Sequence, residues 1–142
     1  MGYVGKPKRV DSKLLKEIIK DDFVPVIVPM GLDEKGIAYN INADTAAGTI
    51  ARSIKSRRLM LLTDNDGVLD NNDKLISEIN TMKAKELIDS EIIHGGMIPK
   101  VKTCIDAINN GVRAVVIIDG RKPHSILFEL FSDKGAGTLI RK

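Results

Sequence analysis

The sequence predicts an α/β fold in which helices cover both faces of a mainly parallel sheet, a three-layer sandwich. Short apolar runs such as Leu59–Leu62 and Val112–Ile118 are typical of buried strands. They alternate along the chain with stretches in which apolar residues recur at helical spacing. Strands separated by helices form βαβ units, whose strands lie parallel in one sheet.

The first elements follow from local signals. Asp11 is suited to cap a helix whose apolar residues lie within Leu14–Ile19. The apolar run Phe23–Met30 predicts a buried strand, which Pro25 and Pro29 either shorten or place at a sheet edge.

A second helix is expected to begin after Asn42, a good N-cap. Its apolar stripe consists of Ala43, Ala46, Ala47, Ile50, Ala51 and Ile54. Asp44 lies in the first turn, where a carboxylate interacts favourably with the helix dipole. Capping does not account for Asn40, and helix starts that follow strands are where α/β proteins place ligand groups.

The alternation continues beyond this helix. The strand Leu59–Leu62 ends at Thr63 and Asp64, and the turn residues between Asp66 and Asp73 predict a hairpin. Thr81 is then suited to cap a helix that carries Ala84, Leu87 and Ile88.

The last third of the chain begins with a helix that Pro99 opens and Gly111 ends. One face of that helix carries Val101, Cys104, Ile105 and Ile108. The run Val112–Ile118 predicts a central parallel strand. A final helix, about Pro123–Phe131, leads into a strand at Thr138–Ile140.

Composition limits the possible classes. The 142 residues, of which 43% are apolar, suffice for one domain over residues 1–142 but not for two of ordinary size. The net charge of +3 is dispersed, and aromatics make up only 4% with no tryptophan, which argues against nucleic-acid binding. We expect no membrane partner and a cytoplasmic location, since no apolar run approaches about 20 residues and no leader opens the chain. The single Cys104 is expected to be a buried structural thiol.

Two loops carry candidate chemistry. Thr63–Gly67 follows a strand and offers hydroxyl and carboxylate groups to a ligand, although the same residues form ordinary turns. His94–Lys100 places paired glycines before a helix start, where backbone amides bind anions. Lys100 opposes the helix dipole there, so either a bound anion accounts for it or its flexible stem reaches solvent.

Four segments together resemble consecutive motifs of the N-acetyl-L-glutamate kinases, members of the amino acid kinase family. The segments are Tyr39–Asp44, Leu61–Asp64 with Gly67–Leu69, Gly95–Lys100 and Ile117–Arg121. Their order and spacing match along nearly the whole chain. The resemblance implies phosphorylation by ATP of the side-chain carboxylate of N-acetyl-L-glutamate, a step of arginine biosynthesis.

The resemblance also implies roles for individual residues. Asn40 would bind N-acetyl-L-glutamate, Asp44 would organise catalytic lysines, and Lys100 would meet the transferring phosphoryl group. The nucleotide would be surrounded by Thr63, Asp64, Gly95, Gly96 and Met97. Magnesium would arrive bound to ATP, and no residue set of this chain is expected to hold a metal by itself.

Members of the family are about twice as long as this chain. Their amino-terminal half carries a lysine-glycine-glycine phosphate motif and a glycine-rich loop, which this sequence does not contain. Gly2–Gly5 resembles the middle of the family's sequence. We therefore expect the chain to be the nucleotide-binding carboxyl-terminal half, and the exposed sheet edge to favour a homo-oligomer.

The carboxyl end, His124–Phe131 with Gly135–Thr138, is similar to arginine-inhibited members of the family. In those members the residues matching Glu129 and Gly135 belong to the site of L-arginine. The alternative is that Glu129 is a surface residue of the last helix.

Two functions from different classes remain. The chain is either the ATP-binding part of a kinase or a non-catalytic module that binds nucleotide or arginine. A sister uridylate, carbamate or aspartate kinase fits less well, given the Asn40–Asp44 motif and the ending at Glu129–Thr138.

Overall fold

The computed structural model describes residues 2–142, which form seven strands and five helices in two sheets. In chain order these are β1 (Val4–Gly5), α1 (Ser12–Lys20), β2 (Met30–Leu32), β3 (Ala38–Ile41), α2 (Ala43–Ile54), β4 (Arg58–Thr63), β5 (Glu78–Asn80), α3 (Thr81–Asp89), α4 (Met97–Asn109), β6 (Ala114–Asp119), α5 (Ser125–Phe131) and β7 (Gly137–Arg141). The α/β class predicted from the sequence is confirmed.

The larger sheet has the strand order β4-β6-β7-β5. β6 lies parallel to β4, and β7 lies parallel to β5, but β6 and β7 are antiparallel. The prediction of a central strand at β6 is confirmed, while the antiparallel pair was not expected. The intervening helix α5 has only seven residues, and the chain returns from it in the direction opposite to β6.

Helices lie on both faces of this sheet. Val115 and Ile117 of β6 belong to the main core, which α2, α3 and α4 cover. Val116 and Ile118 point to the opposite face because side chains alternate along a strand. On that face Arg58 of β4 contacts Glu129 of α5.

The smaller sheet was missed in the sequence. Its order is β1-β3-β2, with β3 parallel to β1 and antiparallel to β2. These strands have two to four residues, too few to show a clear alternation of apolar and polar side chains.

The prediction of a buried strand over Phe23–Met30 is wrong. Only Met30 belongs to a strand, and Phe23, Val24 and Val26 expose 69%, 88% and 93% of their surface. Two prolines within eight residues remove backbone donors from any ladder, and no element within residues 2–142 covers these side chains.

Helix starts were predicted with mixed success. Asp11 and Asn42 are the N-caps of α1 and α2, as predicted. The cap of α3 is Asn80 rather than Thr81, because the Asn80 side chain accepts from the Lys83 amide at 2.7 Å. Likewise α4 begins at Met97 rather than Pro99, since a proline is tolerated throughout the first turn, where no intrahelical acceptor is available.

The apolar stripe of α2 is rotated from the predicted face. Ala51 is buried and Ala47 packs on the core, but Ala43 is exposed, and Gly48 and Thr49 are buried instead. The reason is that α2 packs on α4 as well as on the sheet. Within residues 2–142 no helix is long and apolar enough to cross a membrane.

Candidate functional site

The amino termini of α2 and α4 converge at one edge of the larger sheet. Each helix returns through a short connection to the strand that follows it, so both run antiparallel to β4 and β6. Their first turns therefore lie where those two strands end. In open α/β sheets this carboxyl edge is where ligands bind, and helix amino termini attract anions.

Lys100 and Asp44 meet at this edge. Lys100 Nζ donates to Asp44 Oδ2 at 2.7 Å, across 56 residues of sequence. The Lys100 side chain is only 13% exposed and that of Asp44 27%. Of the two alternatives for Lys100, the one in which its stem reaches solvent is not observed. The ion pair instead holds its ammonium near two helix amino termini, where the dipoles alone would repel it.

Gly95 and Gly96 leave open space in front of α4. A Cβ added at either glycine would meet no heavy atom within 4 Å, and Gly95 has a φ of +55°, which favours glycine. Gly96 is the N-cap and offers no side chain to the helix. A ligand can therefore approach the backbone closely here, whereas the Met97 side chain packs against the core.

Thr63 and Asp64 lie at the end of β4, on the same edge. Thr63 Oγ1 donates to Asp64 Oδ1 at 3.2 Å, and the Thr63 carbonyl accepts from the Gly120 amide at 2.8 Å. Asp64 remains exposed. The segment also continues into an isolated bridge between Leu69 and Leu75, so the predicted hairpin is present in short form.

Asp119 ends β6 beside them and was given no role from the sequence. It is buried, and its carboxylate accepts from the Arg121 backbone amide at 2.9 Å and from the Arg121 guanidinium at 3.0 and 2.9 Å. These hydrogen bonds lower the pKa of Asp119 to about 2. An acidic residue two positions before an arginine at a strand end is the signal that could have indicated this pair.

Asn40 lies in β3, two residues before the cap of α2. Its backbone amide donates to the Tyr3 carbonyl at 2.8 Å. The residue is exposed, and its side chain makes no hydrogen bond within residues 2–142. The structure thus places Asn40 near the start of α2 with its amide group available.

Cys104 lies one turn after Lys100 on α4, near the ion pair. It is fully buried, and burial raises the pKa of its thiol to about 12, with the Asp44 carboxylate adding to the effect. The expectation of a buried structural thiol is confirmed.

Glu129 and Gly135 meet at the far end of α5. Glu129 is buried, so the alternative of a surface glutamate is wrong. Its Oε2 accepts from the Ala136 amide at 2.8 Å, and a Cβ at Gly135, whose φ is +67°, would lie 3.0 Å from the same oxygen. Arg58 NH1 donates to Oε1 at 3.4 Å, a partner that no sequence signal links to Glu129 across 71 residues.

No three His, Cys, Asp or Glu side chains within residues 2–142 are grouped to hold a metal ion. Magnesium that binds with a nucleotide needs no such group, because phosphate oxygens and water together supply most of its ligands.

Two helix amino termini, a paired lysine and open glycines at the carboxyl edge of a sheet define an α/β protein with a candidate anion site. A model of the Amino acid kinase family matches residues 2–119, and the chain belongs to this family.

A relative described as acetylglutamate kinase, from Pelagibacter ubique (strain HTCC1062), is 61% identical over 142 residues, which are 100% of this chain and 49% of that protein. The chain spans about half the length of the curated relatives it matches.

Two solved structures share the fold. N-acetylglutamate synthase from Neisseria gonorrhoeae, complexed with coenzyme A and L-arginine, has a TM-score of 0.93 at 26% identity and matches 99% of this chain and 32% of that one. Carbamate kinase from Giardia lamblia, bound to AMP-PNP, has a TM-score of 0.75 at 22% identity, with coverage of 98% and 47%.

Proposed function

We propose that this chain is the ATP-binding carboxyl-terminal half of an acetylglutamate kinase. With an amino-terminal half it would transfer the γ-phosphoryl group of Mg-ATP to the side-chain carboxylate of N-acetyl-L-glutamate. The observation that carries the proposal is the Lys100–Asp44 ion pair beside the open Gly95–Gly96 backbone. The proposed substrate is inferred from the name acetylglutamate kinase, which the relatives at 61% and 50% identity carry.

Phosphoryl transfer suits this geometry because it needs positive charge and positioning more than covalent chemistry. The Lys100 ammonium would bind the transferring group, and the amides of Gly95 and Gly96 would bind neighbouring phosphate oxygens. Thr63, Asp64 and Met97 would line the rest of the nucleotide site, and Asn40 would bind N-acetyl-L-glutamate. Asp44 orients the ammonium rather than acting as a base, since the attacking carboxylate is already ionised at neutral pH.

Calorimetric titration of the chain with Mg-ATP tests the nucleotide site. We expect binding, and we expect Lys100→Ala to weaken it about tenfold or more, because hydrogen bonds to charged groups contribute roughly 1.5–3 kcal/mol. Lys102→Ala is the matched control, since Lys102 is exposed on the same helix. The absence of binding at millimolar Mg-ATP, or equal effects of the two variants, would refute the assignment.

Activity requires a second test. Mixing the chain with the separately expressed amino-terminal half of the Pelagibacter relative should give N-acetyl-L-glutamate-dependent ADP release. Asp44→Asn in the same mixture should lower kcat more than it weakens Mg-ATP binding. ADP release that does not depend on N-acetyl-L-glutamate would contradict the assignment of that compound as the substrate.

The buried carboxylate of Glu129 favours a second candidate function, the binding of L-arginine as an effector. A carboxylate suits a guanidinium, and the long 3.4 Å contact with Arg58 leaves it weakly paired. The similar N-acetylglutamate synthase structure contains L-arginine. In a calorimetric titration we expect Arg58→Ala to tighten L-arginine binding and Glu129→Gln to abolish it; binding that survives Glu129→Gln would exclude this site.

A further inference from the structure

Helices α2 and α4 meet along a seam of three contacts on successive turns. The contacts are Asp44–Lys100, Gly48–Thr103 and Arg52–Asp106. The first is the ion pair of the proposed site, and the third is a second ion pair, in which Asp106 also accepts from the Asn110 side chain at 3.1 Å. The middle contact involves no charged group.

At the middle contact the two helices approach unusually closely. Gly48 is buried, and a Cβ placed there would lie 2.7 Å from Thr103 Cγ2, closer than real carbon atoms pack. Thr103 cannot simply turn its methyl group away, because its Oγ1 donates to the Pro99 carbonyl at 3.0 Å. Glycine is less favourable than alanine inside a helix, so this approach accounts for the residue.

We propose that Gly48 is a positioning residue for Lys100. Because Gly48 has no Cβ, α2 and α4 can approach past the Thr103 methyl to the separation at which Lys100 Nζ reaches Asp44 Oδ2 at 2.7 Å. The importance of this separation for nucleotide binding rests on the proposed function.

The spacing along the seam explains how the Gly48–Thr103 contact affects the Asp44–Lys100 hydrogen bond. Gly48 is one turn from Asp44 on α2, and Thr103 is one turn from Lys100 on α4. The Arg52–Asp106 ion pair joins α2 and α4 one turn beyond the middle contact. A side chain added at Gly48 therefore separates the two helices at the end where Asp44 meets Lys100. The hydrogen bond there weakens as its donor and acceptor separate beyond about 3.2 Å.

Limited acetylation with acetic anhydride, quantified by peptide mass spectrometry, tests the proposal on the full chain. The measured quantity is the acetylation rate of Lys100 divided by that of exposed Lys102, which corrects for reagent concentration, under conditions in which circular dichroism shows each variant to be fully folded. We expect Gly48→Ala to raise this ratio several-fold, because an ion-paired amine reacts slowly. Thr103→Ser, which removes the methyl but keeps the hydroxyl, should leave the ratio unchanged and should restore it when combined with Gly48→Ala.

A folded Gly48→Ala chain with the wild-type ratio would overturn the proposal, as would a double variant that shows no rescue. If Gly48→Ala alone does not fold, Thr103→Ser must restore its folding and the wild-type ratio. A double variant that also fails to fold contradicts the proposal. A merely structural role predicts a lower melting temperature with an unchanged ratio.

Mg-ATP titration of the same variants separates this proposal from the proposed function. We expect Gly48→Ala to weaken Mg-ATP binding and the double variant to recover it. If no variant binds Mg-ATP but the acetylation ratios behave as expected, the proposed function fails and the positioning role stands. If Lys100→Ala weakens Mg-ATP binding while the ratios do not change, the positioning role fails alone.

Discussion

At the scale of single residues, the Lys100–Asp44 pair is a local conflict resolved by tertiary contact. The first turn of α4 disfavours a cation, while the first turn of α2 favours an anion. Placing both helix starts at one edge lets the carboxylate of Asp44 neutralise Lys100 in a mostly buried position. Such a pair is costly to break from one side, because the remaining charge stays buried.

Asp44→Asn should therefore lower the free energy of unfolding by about 1–3 kcal/mol, the cost of a charged group left unsatisfied. Urea unfolding monitored by circular dichroism measures it. Glu86→Gln is the control, since it breaks the exposed Lys83–Glu86 pair, for which roughly 0.5 kcal/mol or less is expected. Equal effects of the two substitutions would show that burial does not strengthen the first pair.

Asp119 gives a residue-scale prediction for pH. Its pKa falls from 3.8 to about 2 on folding, chiefly through hydrogen bonds from Arg121, so the folded state binds the proton less well than the unfolded state. The resulting stabilisation is fully present above about pH 4 and is lost as the pH falls toward 2.

Arg121→Met should consequently flatten the dependence of the urea midpoint on pH between 4 and 2, relative to the wild type. Arg113→Met, which removes another exposed arginine, should keep the wild-type slope. If both variants lose the slope equally, the cause is net charge rather than the Asp119 contact.

At the scale of elements, Thr138 joins β7 to two positions of the segment between β4 and β5. Its hydroxyl, fully buried in β7, accepts from the Val68 amide at 2.8 Å and donates to the Ile76 carbonyl at 2.7 Å. It thus fixes the segment between β4 and β5 against β7, although that segment has almost no regular structure of its own.

Thr138→Val keeps the shape but removes both hydrogen bonds. We expect a loss of about 1–3 kcal/mol for each buried group left unsatisfied. Thr138→Ser should cost less, because it keeps the hydroxyl and removes only a methyl. Urea unfolding measures the free energy lost in each variant. A valine variant more stable than the serine variant would show that the hydroxyl is not structurally important.

Elements with a strong local signal could be predicted from the sequence, and those that depend on partners could not. The apolar face of α4 and the continuous apolar run of β6 predict core residues correctly, since Cys104, Ile108 and Ile117 are all buried. The strand β5 has three residues and exists only through its pairing with β7. Burial of Gly48 likewise requires knowledge that α4 lies across α2.

The candidate site shows the same division. Asp44 and Lys100 were singled out because each lies at a helix start, but their contact spans 56 residues and follows only from the topology. The Arg58–Glu129 contact spans 71 residues and joins a strand start to a helix interior, for which the sequence carries no local signal.

At the scale of the whole molecule, the segment that the sequence predicted to be buried exposes a run of apolar side chains. Phe23, Val24, Val26 and Val28 are exposed, and an apolar groove of about 320 Å³ separates this segment from α2. Soluble monomers rarely expose large contiguous apolar patches, so a patch of this kind is an interaction surface or an aggregation liability. The segment leads into β2, a short edge strand whose unpaired backbone groups add to the same surface.

We therefore expect the isolated chain to self-associate in a concentration-dependent manner, measurable by multi-angle light scattering or sedimentation velocity. The double variant Val24→Asp, Val26→Asp should shift the chain toward monomer, because these side chains lie outside the core and added carboxylates favour solubility. The double variant Asn71→Asp, Asn72→Asp is the matched control, because it adds the same two carboxylates at exposed positions outside this segment. A monomeric wild type would refute the expectation, and equal effects of the two variants would mean that charge alone, rather than the Phe23–Val28 segment, governs association.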